Sequence, residues 1–350
     1  MNGSSGVRVG VLSFHNSKES KAICNAVEDL GHEPEWLREE NTVVDFDGGE
    51  VSFSPDVDVV ANRLLLSNTD QPTEDLGVAQ TLASLRPMLN PPEATSRAAH
   101  KVATAAALAS QGIPVPDAVL ALSGDQLNRV RDRFGPEAVY KTAIGTHGGG
   151  AWKVEEGETL TAKVGQRRAF LQALIGLEGR GPTDLRVYVV GDEVVGAMYR
   201  HAADGDWRTN VARGGEVEDA TASLDDEARS MAIEAADVVG LDYAGVDLVE
   251  DEDGWFVLEV NPTAGFRGLY AASGRSPAPY IARLAIERGG GTVDDERVQQ
   301  LSATLDDSRP ACMPAPVSTS FEEPVVIGFT ERVVVSGTSG TQTVTAKADS

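Results

Sequence analysis

Apolar positions along this chain follow two periods, and their order predicts the elements. "VRVGVLSF" (7–14) is a short, nearly continuous apolar run, the pattern of a buried strand. "SKESKAICNAVEDLG" (17–31) then predicts a helix, with Ser17 as N-cap and Gly31 as its stop. "VDVVANR" (57–63) predicts a second apolar strand, so residues 1–91 are expected to form an α/β domain with a parallel sheet. The glycine pattern of a dinucleotide fold is absent, which leaves a nicotinamide cofactor little support.

Residues 92–112, "PEATSRAAHKVATAAALASQG", predict one Ala-rich helix ending at Gly112. Pro114 and Pro116 hold the next segment extended. A short helix (125–133), a strand (137–143), the loop "IGTHGGG" and the strand "AWKVEE" follow, giving a central unit over 92–172. A third unit, 173–288, holds a hairpin (185–202) turning at Gly191-Asp192, a helix (224–240), a second hairpin (244–261) and a helix near 278–288. From Gly289 the chain is rich in Gly, Pro, Ser and acid, which predicts a linker (289–322) containing one short helix. Residues 323–350 alternate like β-structure and are expected to be the start of a further β-domain, cut near its beginning.

Composition narrows the function. The 350 residues carry a net charge of −24, and of the 30 basic residues 23 are Arg and 7 are Lys. An acidic excess keeps a protein soluble, and halophiles use it, so a salt-adapted cytoplasm is the expected setting. The acidic excess argues against a nucleic-acid partner, since phosphate contacts need a basic footprint. Cys24 and Cys312 alone make neither a disulfide framework nor a cysteine-rich zinc site. No signal peptide and no membrane-length apolar run is visible, so a cytoplasmic protein is expected, with no membrane partner.

The second hairpin carries the chemistry. With a five-residue loop (251–255), Asp247 lies opposite Glu259; with a four-residue loop it faces Leu258 instead. Asn261 shares the face of Glu259, since strand side chains alternate with period 2. Two carboxylates ~4 Å apart repel by roughly 4 kcal/mol at an effective dielectric near 20, so such a pair calls for a cation or proton between them. Mg takes oxygen ligands, and Asp247, Glu259 and Asn261 offer them. The alternative is a solvated acidic face in an acidic protein.

"KTAIGTHGGGAWKV" (141–154) is a glycine-rich turn whose backbone amides can approach a phosphate, with Lys141 on the incoming strand. It is not the GKS/T phosphate loop, and a plain hairpin loop is the competing reading; His147 fits a loop residue better than a base. "HAADGDWRTNVARGG" (201–215) concentrates Arg208, Asn210 and Arg213, and Arg267 follows Asn261. Arginine grips planar anions, but each of these also fits a surface residue balancing local acid.

Taken together, the segments "DLRVYVVGDEVVGAMYRHAADGDWRTNVARGG", "AGVDLVED" and "LEVNPTAGFRGL" resemble the ATP-grasp superfamily, and closely the RimK-type α-L-glutamate ligases, over roughly residues 7–288. The resemblance implies a fold of mixed α/β and α+β class: an N-terminal Rossmann-like α/β lobe, a central lobe and a C-terminal antiparallel-sheet lobe, followed by the linker and β fragment. It implies ATP between the central and C-terminal lobes. Lys101 and Lys141 would contact phosphates. The loop 145–150, with Thr146, Gly148, Gly149 and Gly150, would close over them as a lid. Gln172, Ala173 and Leu174 would form the adenine hinge, where Ala173 replaces an acid usual in the family and puts adenine selectivity in doubt. Asp184 would sit near the ribose, and Arg208 and Asn210 would bind phosphate or substrate. Arg208 and Arg267 are the implied catalytic cations. Asp247, Glu259 and Asn261 would hold two Mg ions, with Mn as a substitute. The tail looks like the start of a pepsin-like domain described as an ATP-dependent zinc protease.

The implied reaction is a carboxylate–amine ligation. The acceptor carboxylate takes the γ-phosphoryl group of ATP, and the amine of an amino acid, glutamate first among candidates, displaces phosphate from the acyl phosphate. Acceptors range from a protein or peptide to the tail of a coenzyme. The competing class is a non-catalytic ATP sensor regulating the attached protease-like domain. Homo-oligomerisation stays open.

Overall fold

A computed structural model describes residues 6–145, 150–158, 160, 169–177, 179, 181–210 and 214–305, with two short strands beyond them. Residues Met1–Pro314 form one compact unit and Ala315–Ser350 a second. In the second unit the described residues are Val334–Val335 and Gln342–Thr343, an antiparallel pair. The remainder of the expected β fragment lies outside the described residues, as does Cys312.

The first lobe begins with β1 (Arg8–Leu12) and α1 (Lys18–Asp29), whose N-cap Ser17 accepts a hydrogen bond from the Ser20 amide. β2 (Glu33–Leu37), a β3–β4 hairpin (Val43–Asp47, Glu50–Ser54), β5 (Val59–Asn62), α2 (Pro72–Leu85) and β6 (Met88–Leu89) follow. The main sheet has order β2-β1-β5-β6, with every pairing parallel. Its expected parallel topology is present. The hairpin, β2 and α2 were not among the expected elements.

The single helix expected over 92–112 is two helices, α3 (Pro92–Ala99) and α4 (Lys101–Ser110). His100 interrupts them in an extended conformation, φ −104 and ψ 98. Its ring nitrogen accepts from the Ala103 amide, and its backbone bridges Ile144. The break lets the Lys101 amide donate to the Ala143 carbonyl at 2.9 Å, bringing this lysine to the base of the glycine-rich loop.

The second sheet, order β7-β10-β8-β9, comprises β7 (Ala118–Leu120), β8 (Glu137–Thr142), β9 (Ala151–Glu155) and β10 (Ala169–Ala173), with α5 (Gly124–Val130) in the β7–β8 connection. The third sheet has order β13-β12-β11-β14-β15, antiparallel throughout. Its strands are β11 (Thr183–Val190), β12 (Glu193–His201), β13 (Glu216–Asp219), β14 (Tyr243–Asp251) and β15 (Gly254–Asn261). Leu185, Val187, Val246, Leu248 and Val260 are buried on one face, in a cluster shared with Ala228, Ala232 and Ala235 of α6 (Asp226–Val239). Asp225 caps α6 and Gly240 ends it in a left-handed conformation.

α7 (Arg267–Ser273), α8 (Ala278–Arg288) and α9 (Asp295–Ser302) close the unit. The short helix expected after Gly289 is α9. It packs on α8 with Val298 buried, so 289–302 lies against the core instead of hanging free.

Candidate active site

The β14–β15 hairpin turns through Glu252 and Asp253 alone, shorter than either expected loop. Next to the turn, Glu250 pairs with Trp255 and Leu248 with Val257, the register that would set Asp247 against Leu258. A bulge then leaves Leu258 without a partner residue, and Asp247 pairs with Glu259. The bulge is therefore what turns Glu259 toward Asp247. Gly245 pairs with Asn261, so Asn261 follows on the same face.

Alternation carries the same polar face across the sheet. Asp184 and Arg186 point from β11, Arg200 from β12 and Asp247 from β14; Asp184 pairs with Arg200 and Arg186 with Asp247 in register. Arg186 donates from Nε and Nη2 to the two oxygens of Asp247, each at 2.6 Å. Arg200 grips Asp184 with the same geometry and reaches Asp247 Oδ2 at 3.0 Å. Thr209 Oγ1 also donates to Asp184. Asp247 is 4% exposed. Burial opposes its ionisation, but Arg186 and Arg200 override that and hold its pKa at about 2. Neither arginine was singled out from sequence. The signal was present as charged residues at period 2 inside otherwise apolar strands.

This face floors a cavity of about 650 Å³. Every described residue expected at the site lines it. Lys101 donates to Glu259 and, at 3.0 Å, to the Gly145 carbonyl. Lys141 donates to Gln172 Oε1 at 2.5 Å. Desolvation pulls the Lys141 ammonium down to about 8, with Glu259 opposing and Lys101 adding to the fall. Gln172, Ala173 and Leu174 form one wall; the Ala173 amide is already committed to the Asp117 carbonyl. Asp184 borders the cavity, but its carboxylate is held by Arg200 and Thr209. Arg208 is paired with Asp206 at 2.9 Å and lies over Trp207, beside Asn210. Arg267 opens α7 at the rim and Gly150 faces Thr142. Thr146, His147, Gly148, Gly149 and Arg213 lie outside the described residues.

Asp247, Glu259 and Asn261 present two carboxylates and an amide, with Asn261 Nδ2 3.3 Å from Asp247 Oδ2. Among the described residues no group of three His, Cys, Asp or Glu converges for a metal. The set present suits a hard cation shared with phosphate oxygens, and the Lys101 ammonium already answers the charge of Glu259.

A family model described as "RimK-like ATP-grasp domain" matches residues 98–283. The chain belongs to the RimK-like ATP-grasp family. A probable alpha-L-glutamate ligase of Xylella fastidiosa (strain M12) is 35% identical over 233 residues, covering 63% of this chain and 74% of that protein. The tetrahydromethanopterin:alpha-L-glutamate ligase of Methanocaldococcus jannaschii is 36% identical over 195 residues, 53% of this chain and 66% of that one. The ATP-grasp ligase PsnB, solved with a variant of its minimal precursor, Mg and ADP, superposes with a TM-score of 0.64 at 20% identity, over 80% of this chain and 98% of that chain. That likeness shows the ATP-grasp fold. No helix among the described residues is long and apolar enough to cross a membrane.

Proposed function

We propose that this RimK-like ATP-grasp protein joins the amine of L-glutamate to a carboxylate acceptor through an acyl phosphate, consuming ATP. Its family membership makes it an ATP-dependent ligase forming C–N bonds. One observation carries the rest: Lys101 and Lys141 stand with Asp247, Glu259 and Asn261 around a single cavity on the polar face of the third sheet. That combination suits a nucleotide whose phosphates need cations on one side and metal ligands on the other.

The wall formed by Gln172, Ala173 and Leu174 takes the adenine. Lys101 and Lys141 take phosphate oxygens. Asp247, Glu259 and Asn261 hold Mg, which when bound neutralises charge on the β- and γ-phosphates. Arg186 and Arg200 keep Asp247 ionised and aimed, as a ligand must be. Arg208 and Arg267 stabilise the negative charge of the reacting carboxylate and the phosphate that leaves. Positioning and fixed charge supply the acceleration, so no Ser or Cys nucleophile is required. The loop 145–150 shields the acyl phosphate from water. The acceptor is a protein, peptide or coenzyme carboxylate.

ADP release in high salt, with L-glutamate and a panel of carboxylate acceptors, tests this reading. Wild type is expected to form ADP only when an acceptor is present, and Glu259→Ala to abolish it. Tight ATP binding without turnover across the panel would overturn the reading.

A further inference from the structure

The first lobe contributes Glu19 and Leu65 to the wall of the cavity. Glu19 stands on the first turn of α1, where Ser17 Oγ donates to its Oε2 at 3.2 Å and fixes the carboxylate. It faces the loop that follows Asn261. A Cβ on Gly265 would lie 3.2 Å from Glu19 Oε1, so the glycine is what lets the carboxylate approach so closely. The loop is pinned from both sides. Tyr188 donates its hydroxyl to the Gly265 carbonyl at 2.5 Å, and buried Arg63 reaches the Thr263 and Ala264 carbonyls at 3.3 and 3.4 Å.

The charges around the cavity are unequal in what they leave available. Asp184, Asp247 and Glu259 are each paired with an arginine or lysine. Glu250 also has a partner. Among the described residues, Glu19 accepts a hydrogen bond from Ser17, lies within electrostatic reach of the His15 imidazole and sits in no ion pair. The lysines and arginines of the cavity suit phosphates and carboxylates and repel a positive group. A ligation nevertheless needs an amine beside the acyl carbon, beyond the metal ligands, and a free amino acid arrives with that amine as an ammonium. Glu19 lines the same cavity as Lys101 and Arg267 and, among the described residues, is bound by neither a lysine nor an arginine.

We propose that Glu19 holds the ammonium of the incoming amino acid, so that the first lobe supplies the amine half of the site and selects amino acids over simple dicarboxylates. This rests on the ligase reading of the cavity. Gly265 acts through Glu19, as a positioning residue.

Calorimetric titration of the full chain in high salt tests it with three ligands: ADP with Mg, L-glutamate, and glutarate, the same dicarboxylate without the amine. Wild type loaded with ADP and Mg is expected to bind L-glutamate at least about tenfold more tightly than glutarate. Glu19→Gln is expected to erase that preference while binding ADP within about twofold of wild type, which also reports that it folds. Gly265→Ala, which displaces the carboxylate without removing it, is expected to weaken L-glutamate and leave glutarate unchanged. Equal L-glutamate affinity in wild type and Glu19→Gln would overturn the proposal, as would wild type that binds ADP but does not prefer L-glutamate to glutarate. Failure of wild type to bind ADP would overturn the ligase reading and this proposal with it.

Discussion

Arg186 clamps Asp247 from the neighbouring strand, one guanidinium nitrogen to each carboxylate oxygen at 2.6 Å. Both groups are mostly shielded from solvent, with side chains 14% and 5% exposed. Removing one member of a buried pair strands the other charge, and Arg200 only partly compensates. Arg186→Met is expected to cost about 3 kcal/mol of unfolding free energy by urea denaturation. A loss below about 1 kcal/mol would mean that Arg200 alone satisfies Asp247.

Lys141 is expected to make nucleotide binding depend on pH. Desolvation sets its folded pKa at about 8, below the usual 10.5. Between those values the unfolded chain binds more protons, so this group's contribution to stability rises with pH there. Bound phosphate favours the charged lysine and draws a proton onto it. ADP affinity is therefore expected to fall as pH rises through about 8, and Lys141→Met to flatten that dependence. Titrations on both sides of this pH check it; equal slopes in wild type and variant would contradict it.

The same floor shows what a sequence can and cannot reveal. The pairing of Asp247 with Glu259 was one of two registers open from the pattern, and the bulge at Leu258 decided it. A bulge is set by packing on both faces of the strand, which no local signal at Leu258 announces. The break at His100 was hidden for a similar reason. Ala-rich propensity favours one helix, while the bridge from His100 to Ile144 is a tertiary contact. Lys101, Lys141, Gln172, Ala173 and Leu174 could be picked out because family motifs mark them, and all of them line the same cavity. Arg186 and Arg200 were passed over because each sits in an apolar run, where the period-2 charge becomes meaningful only beside Asp184 and Asp247. Glu19 carried no motif, and only the packing of α1 against Gly265 identifies it.

Gly245 sets how closely β14 approaches the loop after Asn261. A Cβ there would lie 2.5 Å from the Ala264 side chain and 3.6 Å from Arg186 Cδ. Gly245→Ala must push the loop or the arginine aside, an overpacking cost of about 1–3 kcal/mol. Thermal unfolding is expected to show that loss, and L-glutamate binding to weaken more than ADP binding, since Gly265 rides on the displaced loop. Unchanged stability would mean that the loop yields freely.

The path of oxygen tests the ligation itself. In an acyl-phosphate mechanism an oxygen of the acceptor carboxylate leaves with the phosphate. An acceptor labelled with heavy oxygen in its carboxylate, turned over with ATP, Mg and L-glutamate, is expected to give inorganic phosphate carrying one labelled oxygen per amide formed. Amide formed with unlabelled phosphate would contradict the account.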